Sequence, residues 1–163
     1  MPSFRPLPPG CTFWQPSTLL ATVGGIGLIR VASGTWGSLA ALPLAWLLWR
    51  LGGPAAVAIA GVVVGLIGIW AAGAVCRGGE ADSSAIVIDE VAGQLLALAP
   101  VAGLPWLYPL AFALFRLLDI AKPWPISWLD RELGGGWGVM LDDIAAGAVA
   151  AAVCAAVLAG GLA

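Results

Sequence analysis

Most of this sequence consists of long apolar stretches, several of them close to the length of a membrane crossing. These stretches limit the possible folds more than any other feature. A perpendicular helix needs about 20 apolar residues to cross the hydrocarbon core of a bilayer. Only 10% of the 163 residues are charged, whereas soluble domains carry roughly 25%. The sequence therefore predicts an integral membrane protein.

The order of these stretches predicts a single helical domain over residues 17–163, preceded by a Pro-rich arm over residues 1–16. We expect helices at 39–51, 55–76, 86–103, 106–121 and 139–158. Residues 17–30 are also apolar, but this stretch is short and contains three glycines. The expected fold is an all-α integral membrane bundle of about four to five transmembrane helices, plus a short N-terminal helix that is interfacial or re-entrant.

Charge is distributed unevenly when five spans are threaded through a membrane. All nine acidic residues then fall on one face, together with every basic residue except Arg50. An excess of Lys and Arg marks the cytoplasmic side of a membrane protein. We therefore expect the charged face to be cytoplasmic.

Five of the acidic residues occur at the ends of apolar stretches. A carboxylate that is stripped of water is costly unless it is paired, bound to a metal or open to water. A cluster of oxygen ligands suggests a hard divalent cation such as Mg²⁺, and Mg²⁺ in turn suggests chemistry on phosphate. The five residues are Asp89, Glu90, Asp119, Asp142 and Asp143.

Several phosphoryl-transfer mechanisms are excluded by residues that the sequence lacks. Histidine is absent, so neither a phosphohistidine nor a Ser-His-Asp triad can form. The three cysteines are scattered and predict free thiols, and Arg77 follows Cys76 directly, which leaves no phosphate-binding cysteine loop. Metal-assisted attack by water remains, with Arg116 and Lys122 available to neutralise developing charge.

Ordinary structural roles stay open for some of these residues. Arg116, Asp119 and Lys122 are three residues apart and could form a local ladder of salt bridges. One member of the Asp142-Asp143 pair could interact with a helix N-terminus.

The Gly-rich turn at 34–38 and the apolar stretch at 139–158 can each be interpreted in two ways. Thr35 and Ser38 lie in a Gly-rich turn, and they could cap a helix or hold a phosphate at its N-terminus. The Ala- and Gly-rich stretch at 139–158 predicts close helix packing, and it could also pair with a second copy of the chain.

Two other classes of function compete with an enzyme. A carboxylate-lined cation or proton transporter would use the acidic residues as an ion entry path, but the other half of the membrane offers no polar exit. A scaffold subunit would not require five carboxylates at helix ends. No nucleic-acid partner is expected.

Three segments of the chain resemble the phosphatidylglycerophosphatase A family. They are GTWGSLAA at 34–41, IVIDEVAG at 86–93, and a long run from 115 to 147 that contains KPWPI, DR, GGWG and DDIAAG. The resemblance covers roughly residues 17–160. It implies Mg²⁺-dependent removal of the terminal phosphate of phosphatidylglycerophosphate, an anionic phospholipid, at the bacterial inner membrane.

The resemblance also implies site residues. The candidate metal ligands are Asp89, Glu90, Asp119, Asp142 and Asp143. The candidate substrate-binding residues that the resemblance implies are Thr35, Arg116 and Lys122. To these we add Ser38 of the same Gly-rich turn and Arg131, which could attract anionic lipid or could simply be a surface charge. The candidate catalytic residues are Asp89, Glu90, Asp119, Lys122 and Asp143.

The chain departs from the family pattern at two places. Ser33 stands where members often have proline. Many members have histidine near the position of Asp82-Ser83-Ser84. A required histidine is therefore excluded here, and Asp82 becomes a lesser candidate for the site.

Overall fold

The structure is a computed structural model that describes residues 4–77 and 84–161. Within these residues the chain is helical and contains no β-sheet, so the expected all-α fold is confirmed. Six α-helices follow one another: α1 (Pro16–Ala21), α2 (Ser33–Cys76), α3 (Ile88–Leu98), α4 (Tyr108–Ala121), α5 (Ile126–Glu132) and α6 (Gly135–Ala159). Short 3-10 turns lie at Ile26–Leu28, Ala99–Val101 and Pro105–Leu107.

The longest helix, α2, is interrupted at Gly52 and Gly53. Gly53 has φ 68° and ψ −165°, a conformation that is open to glycine and strained for residues with a side chain. Pro54 follows and has no N–H to give to the preceding turn. The interruption divides α2 into a first arm at 33–51 and a second arm at 54–76, which correspond to the separate helices expected at 39–51 and 55–76.

The two arms of α2 run in opposite directions along α3. In the first arm, Gly37 packs against Val87 just before α3, and Trp49 lies against Gly103 just after it. In the second arm, Gly68 lies beside the first residue of α3. The start of the first arm, the end of the second arm and the start of α3 therefore meet at one end of the bundle.

Small residues let α6 approach α3 closely. A Cβ on Gly147 would overlap the backbone of Gly93, and Ala146, Ala150 and Cys154 are fully buried. These residues therefore form an interface inside the chain, as expected for helices whose small residues allow the backbones to touch.

Two helices, α2 and α6, are long and apolar enough to cross a membrane. The large aliphatic residues Ile59, Leu66 and Leu117 are each more than 60% exposed, a surface typical of a protein that faces lipid rather than water. The chain therefore has the features of a membrane-associated protein.

Three segments differ from the sequence-based expectation. The helix expected within 17–30 ends at Ala21, because the chain then turns through Val23, Gly24 and Gly25 with positive φ. The helix expected at 86–103 is α3 with its 3-10 extension, which ends at Val101.

The third difference is α5, which lies in the expected loop at 122–136. Prolines and glycines flank this segment and indicate a loop, but Ile126 is buried in a cluster with Phe115 of α4 and Ala146 of α6. This tertiary contact stabilises a helix that is too short to be stable by itself.

The three cysteines, all of which lie within the described residues, form no disulfide with one another, as expected. Cys154 is buried, whereas Cys11 and Cys76 are partly exposed.

Candidate active site

A cavity of about 380 Å³ lies at the end of the bundle where α2 and α3 begin. Each of the helices α3, α4, α5 and α6 contributes at least one carboxylate to the lining of this cavity. We call this cavity the acidic pocket, and its charged lining residues are Asp89, Glu90, Asp119, Lys122, Asp130, Asp142 and Asp143. The structure thus brings together all five carboxylates that sequence analysis singled out.

The first turn of α3 supplies Asp89 and Glu90. The backbone N–H of Val87 donates to the carbonyl oxygen of Ala21 (2.9 Å), which ties the start of α3 to α1. The N–H of Glu90 donates to Oδ1 of Asp89 (3.0 Å). Two carboxylates near a helix N-terminus also interact favourably with the helix dipole.

The middle of α6 supplies Asp142 and Asp143, which are only 5% and 3% exposed. Helix α6 begins at Gly135, so both residues lie about two turns inside it. The alternative that one of them serves a helix N-terminus is therefore wrong. The N–H of Asp143 donates to Oδ1 of Asp142 (3.0 Å).

Carboxylate oxygens from Asp89, Glu90 and Asp143 all lie within 4.8 Å of one another. Oε2 of Glu90 is buried and has no hydrogen-bond partner among the described residues. Ionised carboxylates can only accept hydrogen bonds, so they cannot satisfy one another. This donor set fits a hard cation that takes oxygen ligands.

Arg116 of α4 connects the pocket to α2. Its Nη1 is 2.5 Å from Oδ2 of Asp119 and 4.0 Å from Oε1 of Glu90. The same nitrogen lies 3.5 Å from the hydroxyl oxygen of Ser38. Arg116 therefore offsets part of the negative charge of two candidate ligands.

Lys122 ends α4 with a left-handed backbone, φ 41°. Its ammonium donates to Oδ2 of Asp142 (2.7 Å) and to Oδ1 of Asp130. Burial lowers the pKa of Lys122, but the hydrogen bonds and charges of Asp130 and Asp142 outweigh it and raise the pKa above its usual value. Lys122 is therefore a permanent cation at the pocket.

The alternative of a local salt-bridge ladder along α4 holds only for the Arg116–Asp119 pair. Arg116 pairs with Asp119 within α4, whereas Lys122 binds carboxylates of α5 and α6.

The Gly-rich turn of the sequence is the first part of α2, which begins at Ser33 rather than at residue 39. Ser38 is buried and its hydroxyl donates to the carbonyl of Gly34 (2.9 Å). Thr35 is partly exposed and does not line the acidic pocket. No side chain caps the start of α2, so the capping alternative is wrong for Thr35 and Ser38.

Gly34 is required by a close contact at this position. A Cβ there would overlap Oε1 of Glu90 and would lie 3.1 Å from Nη1 of Arg116. The start of α2 therefore packs directly against the carboxylates of the pocket.

Arg131 is exposed, and its Nε donates to the carbonyl of Ser127 in its own helix (2.9 Å). It does not line the acidic pocket. Asp82 and Glu80 lie outside the described residues.

Sequence reasoning missed several lining residues of the pocket, among them Asp130 and Ser33. Asp130 was noted only within a family motif, although it binds Lys122. Ser33 lines the pocket and its hydroxyl donates to the carbonyl of Ser84 (2.9 Å). Candidate site residues were recognised as carboxylates at the ends of apolar stretches, and neither Asp130 nor Ser33 meets this criterion.

Comparison with known proteins adds an independent finding. The model of the family "Phosphatidylglycerophosphatase A" matches residues 19–158. A phosphatidylglycerophosphatase A of Escherichia coli (strain K12) is 39% identical over 145 residues, which is 85% of this chain and 81% of that protein. A phosphatidylglycerophosphatase A of Haemophilus influenzae is 40% identical over 149 residues, which is 88% of this chain and 89% of that protein.

A third relative carries a different name. A "putative phosphatidylinositol-3-phosphatase" of Bacteroides thetaiotaomicron is 36% identical over 149 residues, which cover 82% of this chain and 89% of that protein. No solved structure matches the chain.

Proposed function

We propose that this chain, which belongs to the phosphatidylglycerophosphatase A family and is a phosphatase that acts on a phosphate monoester, removes the terminal phosphate of phosphatidylglycerophosphate. The products are phosphatidylglycerol and inorganic phosphate. The observation that supports this proposal is the convergence of carboxylates from α3, α4 and α6 with Lys122 in one pocket.

The donor set of the pocket fits Mg²⁺. Asp89, Glu90 and Asp143 would hold the ion directly, with Asp119 and Asp142 as further ligands or as acceptors for its bound water. When bound, the ion polarises a phosphoryl oxygen and makes water a better nucleophile. The uncompensated negative charge of the pocket supports this assignment, since Arg116 and Lys122 are the only cations paired with these carboxylates among the described residues.

The protein's own residues orient the reactants. Glu90 or Asp143 completes the ligand set, and the other takes a proton from the attacking water, because a carboxylate close to the water can act as a general base in a site without histidine. Lys122 and Arg116 bind the phosphoryl oxygens and offset the charge that develops on them. Thr35 and the first amides of α2 contact the headgroup beside the pocket, and Ser38, which is buried and hydrogen-bonded to Gly34, supports this turn from within the helix. Arg131 attracts anionic lipid from outside the pocket.

We place the chain in the bacterial inner membrane with the acidic pocket facing the cytoplasm. The two arms of α2, together with α3, α4 and α6, support four to five crossings. When the chain is threaded through a membrane, more Lys and Arg residues lie at the pocket end than at the opposite end, and this difference supports the orientation. The acyl chains of the substrate stay in the bilayer, so the pocket needs to hold only the headgroup.

Phosphate release by purified protein tests this function. In detergent, we expect release from phosphatidylglycerophosphate in Mg²⁺ and at least about a hundredfold less in EDTA, because metal stabilisation of the transition state is worth several kcal/mol. Readdition of Mg²⁺ should restore the rate. Folded protein that releases no phosphate in either condition would refute the enzyme, and proton or cation flux in liposomes would then test the transporter alternative.

Gly34→Ala tests the contact between α2 and the carboxylates. The added methyl group would overlap Oε1 of Glu90, so we expect Glu90 to shift and kcat to fall about tenfold, equivalent to about 1.4 kcal/mol. Gly160→Ala is the matched control, because its Cβ would meet nothing closer than 3.4 Å. Equal kcat values for the two variants would show that the position of Glu90 is unimportant.

A further inference from the structure

A second cavity, of about 570 Å³, lies beside the acidic pocket. The two cavities share Gly134 and Gly135, which form the end of the α5–α6 connection and the start of α6. A Cβ on either glycine would meet no other atom within 4 Å. The space above these residues is therefore open, and a ligand could extend from one cavity to the other without displacing a side chain.

The lining of the second cavity differs from that of the acidic pocket. The end of α2 contributes Trp70 and Arg77, and the start of α6 contributes Trp137. No carboxylate lines this cavity among the described residues, and Arg77 is its only charged group there. We call this cavity the Arg77 groove.

Arg77 is available for a ligand. It is exposed, and it forms no ion pair and no side-chain hydrogen bond within the part of the chain that the structure describes. A guanidinium group offers several donors that match the oxygens of a phosphate. Trp70 and Trp137 are each more than half exposed, as is typical of residues at the boundary between lipid and water.

The chemistry of the proposed substrate matches this arrangement. Phosphatidylglycerophosphate has a terminal phosphate monoester, one glycerol unit, and then a phosphodiester that leads to the acylated glycerol. If the monoester occupies the acidic pocket, the phosphodiester must lie one glycerol unit away. The carboxylates of the pocket would repel this second anion, whereas the adjacent groove presents Arg77, which has no ion-pair partner among residues 4–77 and 84–161.

We propose that the Arg77 groove binds the phosphodiester of the substrate, with the glycerol unit lying over Gly134 and Gly135. This inference rests on the proposed function. Arg77 is a specificity-determining residue: it contacts the part of the lipid that does not react, so it contributes binding energy for both the substrate and the product phosphatidylglycerol.

The test separates binding from turnover. Binding of dioctanoyl phosphatidylglycerol, which carries the phosphodiester alone, is measured by calorimetry in detergent, and hydrolysis is measured with dioctanoyl phosphatidylglycerophosphate. For Arg77→Gln we expect about tenfold weaker binding of phosphatidylglycerol and about tenfold higher KM, as expected for loss of one charge-assisted hydrogen-bond pair. The value of kcat should stay within about twofold.

Two variants serve as controls. Arg77→Lys keeps the charge and should recover part of the affinity. Arg50→Gln makes the same change at the opposite end of the bundle, where Arg50 lies over the ring of Trp46 at 5.5 Å, and it should leave both quantities unchanged.

The outcomes distinguish the groove from the function. If Arg77→Gln equals Arg50→Gln in both assays, or if wild-type protein does not bind phosphatidylglycerol, the groove assignment is overturned even when Mg²⁺-dependent hydrolysis is present. If binding depends on Arg77 but no hydrolysis occurs in any condition, the groove assignment stands and the proposed function fails.

Discussion

Asp89→Asn is expected to lower phosphate release from phosphatidylglycerophosphate by about a thousandfold or more, which corresponds to about 4 kcal/mol of transition-state stabilisation. Asp89 contributes one of the three carboxylates whose oxygens lie within 4.8 Å of one another. An amide has nearly the same shape but no negative charge, so it weakens the attraction for a divalent cation without creating a cavity. The rate of phosphate release at saturating Mg²⁺ measures the effect.

Loss of activity has to be separated from loss of structure. Asp89→Asn removes one charge from a crowded acidic cluster, so we expect the variant to insert, purify and melt like the wild type. Glu132→Gln is the matched control, since Glu132 is an exposed carboxylate of α5 that does not line the acidic pocket. A near wild-type rate for Asp89→Asn would remove Asp89 from the mechanism.

Lys122→Met is expected to lower kcat/KM about a hundredfold and also to lower the melting temperature by several degrees. The ammonium of Lys122 is the only side-chain partner of the Asp142 carboxylate among the described residues. Asp142 is 5% exposed, and a buried charge that loses its partner is strongly destabilising. Activity and thermal unfolding in detergent measure the two effects.

A double variant separates the two roles of Lys122. In Lys122→Met/Asp142→Asn the buried charge is removed together with its partner, so the melting temperature should recover toward that of the wild type. Activity should stay low, because the phosphate has lost a cation and Asp142, a candidate ligand of the ion, has lost its charge. If the double variant recovers activity as well, Lys122 acts only by stabilising the fold and does not bind substrate.

The candidate site was largely predictable from local features of the sequence. Asp89, Asp119 and Asp142 occur at the ends of apolar stretches, and the cost of burying a charge makes such positions informative without a structure. The two cations Arg116 and Lys122 were found as residues that could neutralise the charge that develops on a phosphoryl group. Their partners were not, because the Lys122–Asp142 contact joins residues on different helices.

Helix boundaries were less predictable than helix identities. The Gly-rich segment at 34–38 indicates a turn by composition, but in the structure it forms the first turns of α2. Gly34 and Gly37 are there because Glu90 and Val87 lie against them. A glycine that permits a close contact and a glycine that permits a turn cannot be distinguished from the sequence alone.

Helical structure, membrane association and the gathering of charge at one end of the bundle could all be inferred from the residues of the chain. These properties depend on hydropathy and on the cost of buried charge, which act residue by residue. The fold was needed to show which carboxylates meet, that Lys122 binds Asp130 and Asp142, that α5 forms, and that an arginine-lined groove adjoins the acidic pocket. Those features depend on contacts between distant segments, and small residues such as Gly93 and Gly147 set how closely these segments approach.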